Sequence, residues 1–127
     1  MNPEKTKTIL LVEDDKFISR AYHDGLAKAG FKIVMAFDGN EAKEQLKKTR
    51  PDIILCDLIM PNKDGFDFLG EVKSDPKLKD IPVLVLSNLS HEKIFAQATQ
   101  LGADGYLVKS NQSIEDIVNE INKYLKD

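Results

Sequence analysis

The chain has 127 residues, 42% of them apolar and 31% charged, a balance that suits one globular domain and excludes a disordered or fibrous polymer. Its formal net charge is -3, with lysines and acids mixed along the chain, so a basic nucleic-acid-binding face is not expected. The longest apolar stretch is about five residues against the roughly 18 that a membrane span needs, and no signal-like start is present, so no membrane partner and a cytoplasmic location are expected.

In chain order, Met1 to Lys7 is polar and reads as a flexible lead, with a single domain over 8–127. From Thr8 onward, short β-branched or leucine-rich runs alternate with stretches of helical period, the pattern of consecutive βα units. The first strand is predicted at Thr8 to Val12. A helix follows whose buried face carries Phe17, Ile18, Ala21, Tyr22 and Leu26, and which Gly30 stops. A second strand at Lys32 to Ala36 leads into a helix with Ala42 and Leu46 inward, capped by Asn40 and ended before Pro51. The third strand, Asp52 to Cys56, precedes a helix lined by Phe66, Leu69 and Val72. Pro82 to Leu86 is the fourth strand, and its helix starts at a Ser90 cap and ends at Gly102. Gly105 to Val108 is the fifth. The last helix is capped by Ser113 and carries Ile114, Ile117, Val118, Ile121 and Leu125 at the spacing of a core stripe.

Each crossover helix must bury its stripe on the sheet, so this alternation predicts an α/β, flavodoxin-like (βα)5 three-layer sandwich. The expected order of its parallel five-stranded sheet is 2-1-3-4-5, which makes the first and third strands neighbours and sets Glu13 and Asp14 beside Asp57. Ser87 and Lys109 end the fourth and fifth strands, so they gather on the same sheet edge. The one cysteine, Cys56, lies within an apolar run and reads as a small core residue.

Clustered carboxylates repel and need a cation to compensate them. Hard oxygen donors on a sheet edge suit Mg²⁺, and Lys109 adds a second positive charge. Acids also follow strands because helix N-termini favour them, which accounts for Asp14 or Asp15 but not for Asp57.

Leu11-Val12-Glu13-Asp14-Asp15, Cys56 through Gly65, Leu86-Ser87 and Gly102 through Lys109, in this order and spacing, resemble the receiver domain of two-component response regulators. The resemblance implies that Asp57 accepts a phosphoryl group from the phosphohistidine of a sensor histidine kinase or a phosphotransfer protein. It implies Mg²⁺, with Mn²⁺ as a substitute, held by Asp14, Asp57 and the backbone carbonyl of Ile59, with Glu13 acting through water. Ser87 and Lys109 would bind phosphoryl oxygens, and Tyr106 would turn inward as the surface of the fourth helix, fifth strand and fifth helix repacks. That surface would meet an output partner or a second copy in a dimer. Pro61 and the turn Asn62-Lys63-Asp64-Gly65 would fix the loop below the acceptor.

Some positions depart from the family pattern. Ser110 stands where proline usually follows the lysine, which predicts a trans peptide there, and Asn88 stands where a small residue is common. Ile59 and Leu89 occupy places that modulate hydrolytic water in the family; both are apolar, so a comparatively long-lived aspartyl phosphate is expected.

The expected role is a signalling module whose only chemistry is its own phosphorylation and dephosphorylation, not an enzyme with an external substrate. A haloacid-dehalogenase-like phosphatase needs a second aspartate two residues beyond its nucleophile, where this chain has Ile59. A flavodoxin-like electron carrier needs a hydroxyl- and glycine-rich phosphate loop after the first strand, and Glu13-Asp14-Asp15 would repel that phosphate. The remaining alternative is a degenerate receiver acting as a phosphorylation-independent interaction module, which Asn88 and Ser110 keep open.

Overall fold

The computed structural model describes residues 6–60, 64–89 and 91–125. Five parallel strands, β1 (Thr8–Val12), β2 (Lys32–Ala36), β3 (Ile53–Cys56), β4 (Val83–Ser87) and β5 (Gly105–Val108), form one sheet in the order β2-β1-β3-β4-β5. Between and after them run α1 (Lys16–Lys28), α2 (Gly39–Lys48), α3 (Gly65–Ser74), α4 (Glu92–Gln100) and α5 (Ile114–Tyr124).

Successive strand residues point to opposite faces, and the core divides accordingly. Leu10, Val12, Ile54, Cys56, Val83 and Val85 pack with Ala42, Phe68, Leu69, Val72 and Ala98 from α2, α3 and α4. On the other face Ile9, Leu11, Ile53, Leu55, Leu84 and Leu86 pack with Leu26 of α1 and Ile117 and Ile121 of α5. Both faces of the sheet are therefore covered, which is why its strands are apolar almost throughout.

Several local expectations are corrected. Asn40 does not cap α2; Asp38 does, its carboxylate accepting from Glu41 N–H, and Asn40 lies inside the helix. On α1, Phe17 is 91% exposed and Ala21 is exposed, while Ser19 is buried and donates its hydroxyl to Met35 Sδ. At about 100° per residue, Phe17 and Ala21 fall on the outer row with Asp24 and Lys28, whereas Ile18, Ser19, Tyr22 and Leu26 face the sheet. In α3 the large buried ring is Phe68, with Phe66 only partly covered. β3 starts at Ile53, with Asp52 just before it donating its N–H to Thr8 O at 2.8 Å and its carboxylate accepting the Thr8 N–H at 2.7 Å, and β4 runs from Val83 to Ser87. Lys7 is already tied to the sheet, its carbonyl accepting from Lys32 N–H at 2.9 Å.

Other end signals act as expected. Gly30 and Gly102 follow α1 and α4 with φ of 102° and 106°, a region that disfavours a side chain. Ser113 and Asp116 form a reciprocal capping box on α5. The expected Ser90 cap and the Pro61, Asn62 and Lys63 part of the loop lie outside the described residues; His91 is at the α4 N-cap position and makes no side-chain capping bond. Among the described residues there is no cis peptide bond and no helix long and apolar enough to cross a membrane.

Candidate functional site

Register places the polar strand ends together. Val12 pairs with Cys56, so the next residues, Glu13 and Asp57, leave β1 and β3 at one level. Their backbones stay anchored: Asp57 N–H donates to Val12 O and Glu13 N–H to Ala36 O, both at 3.0 Å. Ser87 is the last residue of β4 and pairs with Val108, which puts Lys109 immediately beyond the same edge. Glu13, Asp57 and Ser87 are buried, at 2%, 8% and 2% exposure.

The Lys109 ammonium sits between the two buried carboxylates. It donates to Asp57 Oδ2 at 2.9 Å and to Glu13 Oε2. The other Asp57 oxygen, Oδ1, accepts the Leu58 N–H at 2.7 Å, and Glu13 Oε1 accepts the Asp15 N–H at 3.2 Å. Burial pushes the Glu13 carboxyl above its usual pKa and the nearby Asp57 charge adds to this, while the hydrogen bond and charge of Lys109 hold it back. For Lys109, burial works against the charged form, but the hydrogen bonds and negative charges of Glu13 and Asp57 outweigh it and hold the ammonium above the usual lysine range.

Asp14 completes the cluster from the exposed side. One carboxylate oxygen each from Glu13, Asp14 and Asp57 lies within 4.8 Å of the others. Three carboxylates against one lysine leave excess negative charge, and an all-oxygen donor set open to water on the Asp14 side suits a hard divalent cation. Asp15 gives its N–H to Glu13, but its carboxylate lies outside the cluster and caps α1, accepting from Phe17 and Ile18 N–H at 2.9 and 3.1 Å.

Asp57, Ile59, Ser87, Asn88, Leu89 and Lys109 line an open pocket of about 170 Å³ beside the acidic cluster. Ile59 is 59% exposed at its rim. Tyr106 stands behind this pocket rather than on its wall: its hydroxyl donates to Leu89 O at 2.7 Å, and its ring meets Phe95 edge-on at 4.5 Å. Burial raises the Tyr106 phenol, and the Ser87 hydroxyl beside it works in the opposite sense. Cys56 points away, into the α2-α3-α4 side of the core, and burial pushes its thiol far above the usual range, so it offers no thiolate to the site.

Gly65 departs from its sequence reading. It is not a turn residue but the first residue of α3, and its N–H donates to Leu58 O at 2.8 Å. A Cβ there would stand 2.0 Å from the carbonyl oxygen of Asp57, so the helix start lies directly against the Asp57 backbone. The sequence does carry a signal for this start: Asp64 precedes Asp67 at capping spacing and accepts its N–H at 2.9 Å.

Comparison with known proteins agrees with this geometry. Residues 9–122 match the response regulator receiver domain. The chain is 33% identical over 122 residues to the chemotaxis protein CheY of Thermotoga maritima, covering 94% of this chain and 98% of that one. Among solved structures, the phosphorylated cyanobacterial phytochrome response regulator RcpA superposes with a TM-score of 0.84 at 38% identity, covering 94% of each chain. The Mn²⁺-bound form of response regulator Rcp1 gives 0.78 at 34% identity, over 92% of this chain and 90% of that one. Four other curated relatives are longer, and this chain spans 16%, 42%, 41% and 41% of their lengths. Since the family match runs from β1 into α5, over the same strands and loops that bring Asp57 and Lys109 together, the chain belongs to the response regulator receiver domain family.

Proposed function

We propose that Asp57 is the phosphoacceptor of a two-component signalling module, taking the phosphoryl group from the phosphohistidine of a sensor kinase or phosphotransfer protein in the cytoplasm. The observation that carries this reading is the placement of Lys109 against both Asp57 and Glu13, with Asp14 completing an oxygen cluster beside an open pocket. Asp57 is held by its strand and by the Leu58 N–H, which leaves a carboxylate oxygen to attack phosphorus. A P–O bond forms as the P–N bond to the imidazole breaks, and the electron pair of that bond stays on the leaving nitrogen. Lys109 then shifts its charge from the carboxylate to a phosphoryl oxygen, and the Ser87 hydroxyl donates to another.

The donor set fits a divalent cation held by Asp14, Asp57 and the Ile59 carbonyl, with Glu13 behind a water; Mg²⁺ is the natural occupant and Mn²⁺ a substitute. When bound, it neutralises charge building on the phosphoryl oxygens.

Phosphorylation adds roughly -1.5 to -2 charge beside Ser87. Pulling Ser87 toward that charge disturbs the turn whose Leu89 carbonyl accepts the Tyr106 hydroxyl, and so biases the surface of α4, β5 and α5 that an output partner or a second copy reads. The apolar Ile59 and Leu89 on the pocket wall cannot orient an attacking water, which supports a long-lived phosphoryl group. The degenerate alternative, a phosphorylation-independent module, gains no support from a pocket that stays open with Asn88 on its wall.

The test is incubation with acetyl phosphate and Mg²⁺ followed by intact mass. One added phosphoryl group, absent in Asp57→Asn, is the expected result; no addition from this donor or from any kinase would make the module a degenerate one.

A further inference from the structure

Two of the positions that depart from the family pattern, Asn88 and Ser110, are bonded to each other. Ser110 N–H donates to Asn88 Oδ1 at 2.9 Å. Ser110 is the second residue of a 3-10 turn at Lys109–Asn111, where an N–H has no partner within the turn. A proline at 110 would carry no N–H at all, so the bond needs both substitutions together.

Its position is what matters. Ser87 and Val108 are the last register pair of β4 and β5, and Asn88 to Ser110 carries the link past the sheet edge through a side chain. One end flanks the hydroxyl of the pocket and the other flanks its lysine. The turn after β4 is held at Leu89 too: its N–H donates to Ser87 Oγ at 3.3 Å, and its carbonyl accepts the Tyr106 hydroxyl at 2.7 Å. The pocket keeps about 170 Å³ with all these contacts in place.

We propose that Asn88 and Ser110 form a brace beside the pocket that sets the spacing of Ser87 and Lys109, making Asn88 and Ser110 positioning residues for phosphoryl capture. The proposal rests on the phosphoacceptor reading above. The brace restrains two loops before the donor arrives, so less ordering remains for the transfer step.

Two readouts test it on the intact chain. The first is amide hydrogen exchange at Ser110 in wild type and Asn88→Ala, which is independent of any phosphoryl chemistry. The second is the rate of phosphoryl gain at Asp57 from acetyl phosphate and Mg²⁺, resolved into its maximum and its donor dependence. Asn88→Ala is expected to speed Ser110 exchange by about 2- to 10-fold and to lower the maximal phosphorylation rate by a similar factor, with the donor concentration for half-maximal rate little changed. Ser110→Ala keeps the N–H and should behave as wild type. Ser110→Pro should slow phosphorylation, and adding Asn88→Ala to it should slow it no further. Unchanged exchange in Asn88→Ala would overturn the proposal, as would an equal loss of rate from Asn88→Ala in the proline background. If wild type gains no phosphoryl group while exchange still quickens in Asn88→Ala, the acceptor reading has failed and takes the positioning role with it, while the bond itself stands.

Discussion

Alanine at position 65 is expected to unseat the strand end that carries Asp57. The added Cβ would stand 2.0 Å from Asp57 O, 2.6 Å from Leu58 Cα and 2.9 Å from the Asp57 carbonyl carbon, whereas ordinary contact begins at 3.4 Å. All of these are backbone atoms, so no side chain can swing aside, and relief takes a shift of roughly 1.4 Å at the closest atom. Overpacking of this kind costs about 3 kcal/mol, offset by up to about 1 kcal/mol of helix preference for alanine over glycine, for a net loss of about 2–3 kcal/mol. Gly70 supplies the control in the same helix: a Cβ there would meet only Leu101 Cδ2 at 3.5 Å. Thermal unfolding in chelator should show Gly65→Ala melting roughly 6–15 °C below wild type, and Gly70→Ala a few degrees above it. A Gly65→Ala protein melting within about 1 °C of wild type would refute the argument that α3 is packed directly onto the Asp57 backbone.

Glu13 should make metal-free stability fall with pH. Its raised pKa means that the folded chain holds this proton more tightly than the unfolded one, so stability drops as pH rises from the ordinary 4.5 through the raised value. Glu13→Gln should flatten that fall, read as urea midpoints in chelator across the window; identical slopes would count against it. Mg²⁺ at tenfold its dissociation constant should add about 1.4 kcal/mol of stability, and Asp14→Ala should remove most of that gain with little change in the metal-free protein, because Asp14 is exposed. An Mg²⁺-dependent rise of equal size in Asp14→Ala would remove this carboxylate from the cation site.

The fold is legible because burial on both faces writes β1, β3 and β4 as unbroken apolar runs, and strand order then follows from crossover geometry. The clustering of Glu13, Asp14, Asp57, Ser87 and Lys109 follows from the same order, since each stands at or just beyond a strand end. Less visible are features set by rotation or by distant packing. Phe17 looks like a core residue until the outer row of α1 is fixed by Ser19 facing Met35. Asp38 and Asn40 are both good caps in isolation, and the choice between them depends on where β2 releases the chain. Gly65 looks like turn chemistry because its requirement is a close approach, which no local pattern encodes. The bond between Asn88 and Ser110 spans 22 residues and links two positions that sequence treats as separate oddities.

The chain has a single thiol, and the core seals it one residue before Asp57, with its sulfur turned toward α2, α3 and α4 and its proton held by burial. Cys56 is thereby a built-in clock for the centre of the molecule. A thiol reagent can reach it only when the α2-α3-α4 layer lifts from this face of the sheet, so the labelling rate in native buffer measures how often the core beside Asp57 opens. That opening can be followed without introducing a new residue, and without substituting any residue of the site beside it.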